Sequence, residues 1–140
     1  MILGGRRSIR RRRGLVMAEA GIVYSLTLLL IIGAIVVGLG IFRYQQIAWL
    51  AREGARWAAV RGPTYQSEKG QSAPTAATVL ANAVTPKGVA LQANSLTATL
   101  TYDTLSTPQT VTFRLNYRWV PETFLAPITF TSTSIRVIMY

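Results

Sequence analysis

The sequence has no cysteine, no histidine and only five acidic side chains, Glu19, Glu53, Glu68, Asp103 and Glu122. Without cysteine there is neither a disulfide framework nor a thiolate nucleophile. Without histidine there is no Ser-His-Asp relay, and losing both removes the usual zinc ligands. Asp103 and Glu122 are the one carboxylate pair to weigh for acid-base work, and both fall in loop-like stretches. The chain is therefore read as noncatalytic, with no metal, no cofactor and no small-molecule substrate. A length of 140 residues leaves room for one small domain and an appendage.

Basic residues are plentiful, 15 Lys and Arg for a net charge of +10, but unevenly placed. Six of them, Arg6, Arg7 and Arg10 to Arg13, lie in the first 13 positions. No aromatic rings are interleaved among these arginines to stack bases, so the block argues against a nucleic-acid partner. Instead an apolar stretch follows at once. Ala20 to Phe42 holds 23 residues with no charge and no proline. As a helix it reaches about 34 Å, enough for a hydrocarbon core of about 30 Å. A domain this small could hardly surround such a helix on all sides, so residues 20–42 read as a transmembrane span. The arginines hold the N-terminal flank in the cytoplasm and send everything after Arg43 outside it. A cleavable secretory signal has the same basic start, but its apolar run is ~7–15 residues and a small-residue cleavage site follows. Here "RYQQIAWLAREGARWAAV" continues as helix, and a retained anchor is expected.

Glu19 intrudes at the edge of the apolar run. A carboxylate costs ~2.5–3.5 kcal/mol at the centre of a membrane helix, less near the interface, and usually has a partner there. One reading is an N-terminal acid favoured by the helix dipole and facing headgroups. The neighbouring residues offer another. In "RRRRGLVMAEA" Gly14 precedes Leu15, and Glu19 is the fifth residue after Gly14. This resembles the class III signal of type IV pilin-like proteins. The resemblance implies that a prepilin peptidase cuts after Gly14, that Leu15 becomes the N-terminus, and that Glu19 is retained. In that family Phe often follows this Glu, where this chain has Ala20. A new α-ammonium in an apolar setting needs a counter-charge, and a neighbour's carboxylate supplies one. Once residues 1–14 are removed, nine basic residues face five acidic ones, and most of the basic excess is gone.

Past the span the helix is expected to run to about Val60. Ile47, Leu50, Ala51, Gly54, Ala55 and Ala58 recur at spacings of three and four, an apolar stripe rich in small residues. Gly54 costs about 1 kcal/mol of helix propensity relative to alanine, which points to close approach of another element. Glu53 and Arg56 lie one turn apart and can pair. Tyr44 and Trp49 fall where rings settle at a membrane interface. Gly62-Pro63 stops the helix. The segment "AREGARWAAVRG", Ala51 to Gly62, resembles the "AAREGARxAA" stretch of TadE-like proteins, pseudopilin-type subunits of the tight-adherence (Flp) pilus and secretion apparatus. "YRWVPETFLAPITFTSTSIRVIMY", from Tyr117 to Tyr140, is similar to the strand, proline-flanked loop and final strand of the same family. The resemblance gives Glu53, Gly54, Ala55 and Arg56 a packing and docking role. It implies as partners the inner membrane, prepilin peptidase and other pilins and pseudopilins.

Residues 63–72 read as linker. Ala73 to Val84, with Pro74 early, suits a short helix with Val79, Leu80 and Val84 on one stripe. Two runs then alternate with period two: Leu96, Ala98, Leu100 and Tyr102, and Val111, Phe113, Leu115, Tyr117 and Trp119. From Ile128 to Tyr140 the apolar phase switches, so a bulge is expected near Thr131 to Ser134. Arg114 and Arg118 share the polar phase of their strand. The expected fold is α+β. A basic leader (1–14) precedes a long helix (15–62) containing the span, then the linker, then a small extracytoplasmic head (73–140) with a short helix and a three-stranded antiparallel sheet. The expected function is a noncatalytic TadE-like pseudopilin for assembly or priming of a tight-adherence pilus. Two alternatives stand beside it: a type II or type IV minor pseudopilin, and a membrane-anchored module binding an envelope ligand.

Overall fold

The computed structural model describes residues 7–105, 107–121 and 126–139, without the side chains of residues 7–13, Pro63, Thr64 and Gln66. Residues 1–6 of the expected leader, the loop residues 122–125 with Glu122, and Tyr140 lie outside the described residues. The first element, α1, runs Arg7–Val60. The chain divides into two compact units, one ending at Gly40 and one spanning Ile41–Tyr140.

The described residues of the first unit all lie in the helix α1, from Arg7, within the expected leader, onward. No proline or glycine pair interrupts it, and Ser25 and Thr27 donate their hydroxyls to the carbonyls of Gly21 and Val23, four residues back. That arrangement hides small polar groups on a helix otherwise made of Leu, Ile and Val. Its large apolar side chains are uncovered: Leu26 is 59% exposed, Leu30 64% and Ile35 58%. The stretch is long and apolar enough to cross a membrane.

In the second unit the rest of α1 packs on a sheet of three strands in the order β1–β2–β3: β1 (Leu96–Asp103), β2 (Thr110–Trp119) and β3 (Ile128–Val137). Both pairings are antiparallel. All six positions of the α1 stripe are buried, from Ile47 to Ala58. They meet the inner sheet face, whose centre is Phe113 and Leu115, both without solvent exposure, and Tyr117. Trp119 is buried and Phe130 half-buried at one end of that face, ring on ring at 5.9 Å. The outer face shows the other phase, with Thr97, Thr99 and Thr101 on β1 and Arg114 and Arg118 on β2 all exposed. The helix on one side and water on the other explain the clean alternation of β1 and β2.

Three local expectations are corrected. Pro63–Lys69 is a helix, α2, where composition read as linker; proline at its first position has no N–H to leave unpaired and a pre-set φ. Pro74 lies outside α3 (Ala76–Val79), because Thr75 is its N-cap and accepts from the Thr78 N–H. The chain then widens into a π-turn over Leu80–Val84, where the Thr85 hydroxyl and N–H both reach back to the Leu80 carbonyl. The wider turn buries Val79, Ala83 and Val84 and leaves Leu80 half-buried.

The third correction concerns β3. Its pairing with β2 runs unbroken from Trp119↔Ile128 to Thr110↔Val137, without a bulge. The phase switch is absorbed by which side chains face out. Ile135 and Val137 are 63% and 48% exposed, while Ser134 is buried opposite Phe113. A serine fits there because the Phe113 ring already fills the space between sheet and helix.

Candidate functional site

The sequence singles out two groups of residues, one in each unit. In the first unit Gly14 and Leu15 are neighbours on α1 with Glu19 one turn further on, and all three are exposed. Glu19 has no hydrogen-bond or ion-pair partner among the described residues. It is a carboxylate at the start of the uncharged run of α1, a position whose occupants are usually paired. Gly14 has open space where a Cβ would be, so nothing among the described residues needs a glycine there.

The second group lies inside the packed unit. Ala51 and Ala55 are fully buried, and Gly54 faces Phe113. A Cβ at residue 54 would fall 2.5 Å from Cε1 and 2.8 Å from Cδ1 of that ring. Only glycine leaves room for the aromatic ring to lie against the helix backbone. Arg52 and Arg56, from the same "AREGAR" string, turn to solvent, and Arg52 Nε donates to the Ala48 carbonyl. The string therefore reads as one buried small-residue face and one exposed cationic face.

Glu53 does not take Arg56 as its direct partner. Lys87 Nζ donates to its Oε1 at 2.5 Å, a contact spanning 34 positions in the chain. The Lys87 hydrogen bond holds the Glu53 carboxyl below its ordinary range, against a smaller opposing effect of burial, with the charges of Lys87 and Arg56 adding to the lowering. A lowered carboxyl stabilises the fold above its ordinary value of 4.5, and that contribution disappears as pH falls through the folded-state value. Glu53→Gln is expected to lower stability at neutral pH by about 0.2–1 kcal/mol, the range of exposed pairs. The gap between variant and parent should close under acid, as followed by urea unfolding across pH. A gap that stays constant into acid contradicts this assignment.

Several contacts left no mark in the sequence. Arg43 donates to the Ala90 carbonyl at 2.6 Å, and Gln46 Nε2 to the Val89 carbonyl at 2.9 Å, fastening residues 88–91 to the helix. Ala90 has φ +55, a left-handed conformation that alanine rarely adopts, and the two fastened carbonyls hold it there. Arg61 lies 4.2 Å over the Trp57 ring. Beside it is a recess of about 540 Å³ lined by Tyr65, Pro74, Thr78 and Asn82 among others. Burial raises the Tyr102 phenol above its ordinary value, and its hydroxyl donates to the Pro74 carbonyl.

Asp103 ends β1 and accepts from the Leu105 N–H. No three carboxylates gather into a metal-holding group among the described residues. No family model, curated protein or solved structure matches the chain.

Proposed function

We propose that this chain is a noncatalytic pseudopilin subunit of the TadE-like kind, working in assembly or priming of a tight-adherence pilus or related secretion apparatus. The observation that carries the reading is Glu19, exposed and without a partner among the described residues, five positions after Gly14 at the start of an uncharged run on one unbroken helix. The "AREGAR" stripe on the same helix supports it, with Gly54 fitted against Phe113.

On this reading the basic leader holds the N-terminus in the cytoplasm, and prepilin peptidase cuts after Gly14 at the inner membrane. The Leu15 ammonium then meets the Glu19 carboxylate of the same or a neighbouring subunit. Apolar helices associate side by side, where small residues allow close approach. The head outside the membrane docks to pilins and pseudopilins through exposed groups such as Arg52 and Arg56. A type II or type IV minor pseudopilin would be processed in the same way.

Mass analysis of membrane-extracted protein tests the reading. Cells with prepilin peptidase should yield a chain beginning at Leu15, and cells without it the full N-terminus. Retention of residues 1–14 in peptidase-competent cells would overturn the proposal. The recess beside Trp57 and Tyr65 favours the alternative of a membrane-anchored module that binds an envelope ligand. In that case the leader stays in place.

A further inference from the structure

One end of the second unit is built where α1 leaves the uncharged run. Arg43 and Gln46 fasten the carbonyls of Ala90 and Val89 to this part of the helix. Arg43 also lies 6.0 Å from the Tyr117 ring centre. The Tyr44 ring meets Phe130 edge-on at 6.1 Å, and Phe130 stacks on Trp119. The loop at 88–91, the end of β2 and the start of β3 therefore converge on residues 43–46. The opposite end of the unit is fixed further along, where the Ala59 carbonyl accepts from the Met139 N–H. Between Arg43 and Ala59 a helix rises about 24 Å.

The end at residues 43–46 is uncovered and apolar. Val89 is 67% exposed, Val120 59%, Tyr44 53% and Ile128 43%. Any one of these alone would be ordinary on a protein surface. Here Val89 is fastened to Gln46, while Ile128 pairs with Trp119 and Val120 follows Trp119, beside the ring stack that Tyr44 meets. All of this adjoins Arg43, the residue that directly follows Phe42 in the uncharged run. Chain connectivity keeps whatever is fastened to Arg43 and Gln46 within a few residues of the end of that run. Rings and long cationic side chains are the groups that settle at the boundary between lipid tails and water.

We propose that this end of the head seats in the headgroup layer of a phospholipid bilayer, with Val89, Val120 and Ile128 against lipid and Arg43 among the phosphates. The inference rests on reading residues 20–42 as a membrane span. It adds a second membrane contact, made by the head. The hydrogen bonds to Val89 and Ala90 hold the loop against the helix, so its apolar tip enters the interface without ordering a free segment. Seating the head in this way fixes its tilt and decides which of its faces partner subunits can reach.

The absence of cysteine makes the test direct. Single substitutions Val89→Cys, Leu105→Cys and Leu30→Cys in the full chain accept an environment-sensitive nitrobenzoxadiazole label. Leu105 is 95% exposed and serves as the aqueous reference. The labelled chains are placed in phosphatidylcholine–phosphatidylglycerol vesicles carrying nitroxide lipids, shallow or deep. The label at residue 89 should lose at least about half its emission to the shallow nitroxide, since interfacial groups sit ~5–10 Å into the headgroup boundary. The label at 105 should keep its emission, and the label at 30 should respond to the deep nitroxide. Equal responses at 89 and 105, with 30 still quenched by the deep probe, would overturn the seating and leave the span intact. An unquenched label at 30 would remove the span and the seating together. Quenching at 89 that appears only at high protein-to-lipid ratio would also overturn the proposal, in favour of contact between copies of the chain.

Discussion

Gly54→Ala should destabilise the head by about 1–2 kcal/mol, although alanine is the better helix former. The helix gains about 1 kcal/mol from the exchange. Against this, the new methyl falls within 2.8 Å of two Phe113 ring carbons and 3.1 Å from a third. The ring is fully buried, so it cannot swing into solvent to make way. Overpacking a dense core costs about 1–3 kcal/mol, occasionally more, and a contact this close belongs at the upper end. Phe113→Ala alone should cost about 3–5 kcal/mol, the transfer loss plus the cavity. If the two sites oppose each other directly, Phe113→Leu should relieve Gly54→Ala, giving a coupling of about 0.5–3 kcal/mol in a double-mutant cycle. Near-ultraviolet circular dichroism of the full chain in detergent, followed through urea unfolding, reads all three. An alanine variant as stable as the parent, or additive effects of the two changes, would show that the ring does not sit on this glycine.

Glu19→Ala should leave membrane insertion intact, or improve it slightly, and abolish recovery of partner subunits. Removing a carboxylate from an apolar run favours the lipid-embedded state. It also strands the Leu15 ammonium that the proposed function sets against it. Breaking one half of a desolvated pair costs about 3–5 kcal/mol, since the remaining charge is left uncompensated. At 1.4 kcal/mol per tenfold, that is a loss of roughly a hundredfold or more in association. Co-purification of pilin partners from detergent extracts, with the mature N-terminus checked by mass, measures it. Glu19→Asp should retain part of the association, because the charge remains on a shorter arm. Unchanged recovery of partners from a correctly processed Glu19→Ala protein would end this role for the residue.

The sequence made the architecture readable wherever one period held over a whole element. Ile47, Leu50, Ala51, Gly54, Ala55 and Ala58 mark the buried stripe of α1, and Val111 to Trp119 mark β2, because each element meets an apolar neighbour on one side only. Reading failed where local composition and tertiary packing disagree. Pro63 to Lys69 looks like linker but winds into α2. The phase of Ile135, Val137 and Met139 implies a bulge only where apolar residues face inward, whereas the inner position opposite Phe113 is occupied by Ser134. The site divides in the same way. Gly54 announced itself by its cost to the helix, but nothing near it named Phe113, 59 positions later. Lys87 as the partner of Glu53, and the Arg43–Ala90 and Gln46–Val89 fastenings, join segments separated by more than 30 positions. Such pairs carry no periodic signal.

The unbroken ladder between β2 and β3 gives the last strand two different kinds of hold. Near Ile128 it is gripped by rings, with Phe130 between Trp119 and Tyr44. Near Val137 the main chain adds a grip of its own, where the N–H groups of Ile138 and Met139 reach the Gln109 and Ala59 carbonyls. One extremity therefore depends on its rings, while the other has anchors that any residue with a backbone N–H can supply. Sequence drift at Ile135 is free to recolour the outer surface of the head while the strand stays where it is.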